Sequence, residues 1–174
     1  MSSTIGVQNI AHTNGTVAAT VASDGGVYIK DHVLQVKFNS SANGYNTAGT
    51  SYVSSGQFIQ ITPKSTSSKI LLHYSSCCYN SLATGFVVST IYKNITSSTD
   101  GQTAISGGTD LSNRGATGYG MSYFYSESGT QIVPLTSQFL DSPNSTSQQT
   151  YVLAFKSKTI GTSYWNSNNS LGTF

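Results

Sequence analysis

Two short apolar runs, Phe58 to Thr62 and Ile70 to Tyr74, constrain the fold of this chain more than any other stretch. Ile59 and Ile61 share one side of the first run; Ile70, Leu72 and Tyr74 share one side of the second. A period of two marks a β-strand with one buried face. The bridge between the runs, Pro63-Lys64-Ser65-Thr66-Ser67-Ser68-Lys69, is polar and too long for a two-residue hairpin. Pro63 has no backbone N–H to donate, so it belongs where the first strand ends. The two strands therefore either pair across a loose loop or lie in different sheets.

The same alternation recurs along the chain. His32 to Phe38 places Leu34, Val36 and Phe38 on one side and predicts the strand that opens the main domain. Asn39 to Thr50 reads as a polar loop with an Asn43-Gly44 turn, and Tyr52-Val53 as the start of a short strand. The second central strand is expected to run on to Tyr79. Phe86 to Tyr92 follows, with Phe86, Val88 and Tyr92 on one face. Residues 93 to 115 form a long polar stretch, either a functional loop or one broken by a short strand near Thr103 to Ile105. Thr117 to Tyr125 places Tyr119, Met121, Tyr123 and Tyr125 together. Gln131 to Leu135 is assigned to a sheet edge by Pro134. Phe139-Leu140 leads into a polar turn at Asp141 to Asn144. Tyr151 to Lys156 sets Tyr151, Leu153 and Phe155 on one face, and Tyr164-Trp165 and Leu171 to Phe174 read as short closing strands. No segment carries a helical period. Many short strands separated by turns predict an all-β domain, a sandwich or barrel, over residues 32–174.

Residues 1–31 differ. Ile5 and Val7 alternate, Asn14-Gly15 and Asp24-Gly25-Gly26 are turn signals, and Val17, Ala19, Val21, Val27 and Ile29 alternate between and after them. So little apolar mass makes no core of its own, so this segment is expected either to pack on the main domain, on sister chains or on another protein, or to be a partly ordered leader.

Charged residues are 8% of the chain, against about 25% in an ordinary soluble protein. The formal charge is +2, the only arginine is Arg114 and no basic run exists, which argues against nucleic acid as a partner. No apolar stretch approaches the ~20 residues of a membrane-spanning helix, so no membrane insertion is expected. No basic patch followed by an apolar run marks a signal peptide, which suits synthesis in a cytoplasm. Cys77 and Cys78 are adjacent, so on a strand they point to opposite faces and make a poor disulfide pair. One buried and one outward thiol is the expectation.

Candidate chemistry is sparse. The acids are Asp24, Asp31, Asp100, Asp110, Glu127 and Asp141. A glycosidase needs two carboxylates across a cleft; only Asp110 and Glu127 suggest such a pair, and turn roles account for both more simply. His12, His32 and His73 lack metal-ligand spacing, although His73, His32 and Asp31 could form a hydrogen-bonded set. No nucleophile elbow or phosphate loop is present, and neither an enzymatic activity nor a cofactor is expected. Surface recognition remains. Tyr45, Tyr119, Tyr164 and Trp165 fall in or beside loops, where they could meet a carbohydrate or instead fill the core or a subunit contact. No single receptor-binding residue is assigned.

Two phrases carry a resemblance: ITPKSTSSKILL with its lead-in TSYVSSGQFIQ, and FLDSPNSTSQQTYVLAF from Phe139 to Phe155. In that order they resemble a module of tail fibres and other virion appendages of bacteriophages, marine ones in particular, over roughly residues 32 to 174. The resemblance implies a jelly roll like the trimeric heads of the tumour-necrosis-factor and complement families, hence a homotrimer. It also implies a location in the virion and partners among other virion proteins through residues 1–31, and it leaves open a host-recognising tail fibre that meets cell-surface glycan, a head fibre, a capsid decoration with no receptor role, or a glycan-degrading appendage. Members of that module usually continue into a closing strand of the form Thr-x-x-x-Met-Glu-Ile. Here either Leu171 to Phe174 closes the sheet or a neighbouring subunit covers its edge.

Overall fold

The alternation becomes twelve strands and no helix among the described residues. The structure is a computed structural model that describes residues 6–21, 23, 25–29, 32–113, 118–127, 131–158 and 161–165. The chain divides into two compact units, Met1–Lys37 and Phe38–Phe174.

The first unit is a small antiparallel meander of β1 (Asn9–Ala11), β2 (Val17–Val21) and β3 (Val27–Ile29). The Asn14-Gly15 turn works as its residues suggest. Gly15 takes φ +84°, and the Asn14 side chain accepts from Thr16 N at 3.0 Å.

The second unit is a β-sandwich. One sheet has the order β10 (Val133–Asp141), β6 (Ile70–Asn80), β12 (Ser163–Trp165), β4 (Tyr45–Thr47). The other runs β5 (Val53–Ile61), β11 (Gln149–Ser157), β7 (Phe86–Lys93), with β8 (Thr109–Asp110) and β9 (Ser122–Tyr125) both paired to β7. From β4 to β7, and again from β9 to β12, successive strands switch sheets, as in a jelly roll. The central pair thus lies in different sheets, which settles the choice the sequence left open.

The core lies between the sheets. Ile70, Leu72 and Cys78 come from β6, Val87 and Ile91 from β7, Tyr151, Leu153 and Phe155 from β11, and Trp165 from β12. Phe155 and Trp165 are fully buried, with ring centroids 5.7 Å apart. Between the sheets, the Tyr74 hydroxyl lies 2.9 Å from Ser89 Oγ and 2.6 Å from Ser122 Oγ. A second polar tie is Asp141, which holds Lys93 Nζ at 3.0 Å and accepts from the Tyr151 hydroxyl at 2.6 Å.

Several expectations change. His32 to Phe38 is not a strand: Val33, Val36 and Phe38 are 83%, 81% and 86% exposed, and no ladder reaches them. Alternation gives a segment its β tendency, but a strand exists only where a second backbone supplies hydrogen bonds. The polar loop 39–50 contains β4, because Tyr45–Thr47 completes a ladder against Ser163–Trp165. β5 begins at Val53 and runs unbroken to Ile61, with a register shift between Val152 and Ala154 on its partner. β10 is one long edge strand that carries Pro134 and runs through Phe139-Leu140 to Asp141. The long stretch after Lys93 is broken by a bridge from Ala104 to Val53 and by β8. Leu171 to Phe174, Asp31 and Arg114 lie outside the described residues.

The adjacent cysteines fall as alternation requires. Cys77 is exposed and Cys78 is buried. Burial pushes the Cys78 thiol up to about 12. In the native protein at pH 8 a thiol reagent is therefore expected to modify one cysteine per chain, and two after denaturation. Two fast-reacting thiols in the native state would contradict the assigned orientation of β6.

Candidate recognition site

The strongest surface feature is a tyrosine platform on the outer face of the β7 and β9 pair. The register sets Tyr125 directly opposite Phe86 and Tyr123 opposite Val88, and directly opposed residues share a face. Tyr119, just before β9, joins them. Phe86 lies at the centre, with ring centroids 4.7 Å from Tyr125, 5.7 Å from Tyr119 and 6.3 Å from Tyr123. Tyr119 and Tyr123 are 4.8 Å apart. The three tyrosines stay exposed, Tyr123 most of all at 54%. Lys158 Nζ sits 3.0 Å from the Tyr119 ring centroid, within cation–π range. Its backbone N–H donates to the Phe86 carbonyl at 3.3 Å. Exposed Glu127 follows Tyr125 by two residues.

Gly120 makes this arrangement possible. It takes φ +61°, and a Cβ there would fall 2.3 Å from the Ser89 carbonyl oxygen. Only glycine passes so close to another backbone at that φ. The turn it permits sends Met121 inward, against the core cluster, although alternation places it with the tyrosines. Met121 N then bonds the Ser89 carbonyl at 2.9 Å, where β9 begins its pairing with β7.

The same outer face continues through Val88 and Ala154 to Tyr52 and Tyr92, whose rings meet edge-on at 5.6 Å. Lys156 projects over Tyr52 with Nζ 4.5 Å from the ring centroid and is only 2% exposed. Desolvation lowers its pKa, and the charge of Lys158 adds to this. Tyr52 is pushed above the usual phenol range by burial first and the Asp110 carboxylate second. Aromatic rings thus recur along this sheet face on either side of Val88 and Ala154, with Lys156 and Lys158 set against two of them.

The other proposed surface aromatics divide. Trp165 is buried in the core, the second of the two roles left open for it, because β12 is a central strand of its sheet and Trp165 pairs opposite buried Cys78. Tyr164 lies flat on Tyr79, centroids 4.3 Å apart and planes 2° apart. Tyr45 is half-buried and packs against the core. Tyr119 alone of the four joins a surface cluster. Its companions Tyr123 and Tyr125 were legible as one face of an alternating strand, but Phe86 as their hub was not.

Asp110 and Glu127 are not brought together. Asp110 pairs opposite Tyr92, and Tyr125 opposite Phe86, six residues away along β7. At ~3.3 Å per residue this separates the two ends by roughly 20 Å, beyond glycosidase spacing. Asp110 instead accepts from Thr90 Oγ1 at 2.6 Å and from Ser112 N and Oγ at 2.9 and 2.8 Å. His73 is exposed on β6 opposite Gln138, and His12 is exposed in the leader turn. Among the described residues no three His, Cys, Asp or Glu side chains gather to hold a metal ion. No described helix is long and apolar enough to cross a membrane.

No family model matches this chain, and a search of curated proteins found no match.

Proposed function

We propose that this chain is a non-enzymatic structural protein of a bacteriophage virion, a tail-fibre or head-fibre appendage that displays a trimeric β-domain and touches host-surface glycan through the tyrosine platform. Residues 1–31 would join it to the rest of the particle. The observation that carries the reading is the platform itself. Exposed ring faces held by a sheet offer stacking surface for sugar rings, and Lys158 adds a hydrogen-bonding group beside Tyr119.

The two phrases that resemble the phage module fold into one place. Ile61 pairs with Gln149, Ile70 pairs with Asp141, and Lys69 Nζ donates to Ser142 Oγ at 2.6 Å. Stretches some 80 residues apart thus form one end of the sandwich. Trimer geometry then supplies avidity, since three weak contacts per appendage multiply without a strong individual site.

The test is binding of the full chain to purified host-surface polysaccharide. Tyr123→Ala is expected to weaken it at least tenfold, the scale of losing an aromatic hot spot. Thermal stability should stay near that of the unmodified chain, because Tyr123 is exposed. Binding unchanged by Tyr123→Ala and Tyr125→Ala would reject the platform. Absence of any glycan binding would leave a capsid decoration with no receptor role. A light-scattering mass of about 55 kDa, three times 18.4 kDa, is expected for the oligomer.

A further inference from the structure

The tyrosine platform has a basic side. Residues two apart on an extended chain share a face, so Lys156 and Lys158 both stand on the outer side of the second sheet, roughly 7 Å apart. Lys156 pairs opposite Val88, and the Lys158 N–H bonds the Phe86 carbonyl, so the two lysines run alongside the row that carries the platform. Lys156 is buried, and Lys158 is half-buried with Nζ against the Tyr119 ring. Among the described residues no carboxylate pairs with Lys158. Asp110 is engaged by Thr90 and Ser112, and it pairs opposite Tyr92, six residues along β7 from Phe86. Glu127 follows Tyr125 on the other flank of β7, two inter-strand spacings or roughly 10 Å from β11.

Given the glycan contact proposed above, on which this rests, we infer that the glycan is an acidic one: its carboxylate docks on Lys158 while a sugar ring stacks on Tyr123 and Tyr125. The face of Tyr119 attracts an ammonium but supplies it no acceptor oxygen, and an ammonium has three donors. A half-buried ammonium with a second one beside it makes a positive field that water only partly screens. Burial first and the charge of Lys158 second lower the Lys156 pKa, and that second cause is the repulsion an anion would relieve. A sugar carboxylate answers both lysines together and forms a charge-assisted bond to Lys158. A neutral sugar stacks on the same rings but leaves the field unanswered. Charged residues are 8% of the chain, so two lysines beside exposed rings are a local concentration and not the general surface.

The experiment measures binding of the full chain to oligogalacturonate and to the same oligomer with its carboxyls reduced to alcohols. The acidic form is expected to bind about tenfold more tightly at low salt, the scale of one charge-assisted bond, and the preference should shrink as salt is added. Lys158→Gln should cut the preference to about twofold or less, and Lys158→Arg should keep it. Lys64→Gln, which removes an exposed charge beyond the far end of β5, should leave it unchanged. Emission from Trp165, the only tryptophan and buried in the head, reports that each variant stays folded. Equal binding of the two oligomers, binding of neither at millimolar concentration, or a preference that survives Lys158→Gln would overturn the inference. So would displacement of the acidic oligomer by an equal concentration of acetate, which would reduce the site to one for small anions. Tyr123→Ala reads the stacking separately and should weaken both oligomers alike. Acid-selective binding unmoved by Tyr123→Ala would keep the Lys158 site and reject the platform; equal binding of both oligomers that Tyr123→Ala weakens would do the reverse.

Discussion

Replacing Phe155 by alanine is expected to destabilise the head by about 3–5 kcal/mol. Phe155 has no exposed surface and lies on β11, the strand between β5 and β7, where both its edges are paired. Its ring packs on Trp165, which belongs to the facing sheet, so the substitution opens a cavity between two sheets that cannot close independently. A domain of this size is stable by about 5–15 kcal/mol, so the loss takes a large share of the whole. The readout is the denaturant midpoint followed by Trp165 emission. Leu140→Ala is the comparison, since Leu140 is 59% exposed and should cost about 0.5 kcal/mol or less. Similar midpoints for the two variants would mean that the core is not where Phe155 lies.

Alkali is expected to unfold the head, with stability flat below about pH 9 and falling steadily above it. Cys78 is raised by burial from its ordinary 9.0 to about 12. A group whose folded pKa is raised contributes stability that is fully present below the unfolded pKa and lost as pH climbs through the folded one. For Cys78 that window runs from 9 to 12, and the loss is on the order of several kcal/mol. The buried phenols act in the same direction from about pH 10 upward. Tyr52 and Tyr74 are raised chiefly by desolvation. Tyr151 is raised by desolvation and also by the Asp141 carboxylate that accepts a hydrogen bond from its hydroxyl. The measurement is the denaturant midpoint from pH 7 to pH 11.5 under reducing conditions. Cys78→Ala should flatten the early part of the decline, between pH 9 and pH 10. A midpoint unchanged up to pH 11.5 would show that these groups ionise freely in the folded state.

Sequence reading was most secure for strands paired on both sides. Along β11, alternation places Tyr151, Leu153 and Phe155 on the core face, where the structure has them. Along β6, it places Ile70 and Leu72 inward and separates Cys77 from Cys78. It failed at His32 to Phe38, where the local pattern is equally clear and no second backbone accepts it. It missed β4, whose Tyr-Asn-Thr carries no apolar alternation and is a strand only because β12 lies beside it. For Trp165 the sequence left surface and core both open, and the core claimed it because β12 is inserted between β6 and β4.

The candidate site divides the same way. That Tyr123 and Tyr125 share a face follows from a spacing of two residues, whatever the strand pairs with. That Phe86, some 40 residues earlier, becomes their hub depends on the register between β7 and β9. Met121 left the tyrosine face because Gly120 turns the backbone at a point the alternation crosses without a mark. The separation of Asp110 from Glu127 is likewise a matter of which end of β7 each segment meets. By itself the sequence determined the all-β class, the inward face of most strands and the polar, weakly charged surface, because these follow from side-chain chemistry at short spacing. Only the tertiary structure decided which segments found a partner edge, which aromatics met and which carboxylates stayed apart, because hydrogen-bond partners and cross-strand neighbours are supplied by parts of the chain far away in sequence.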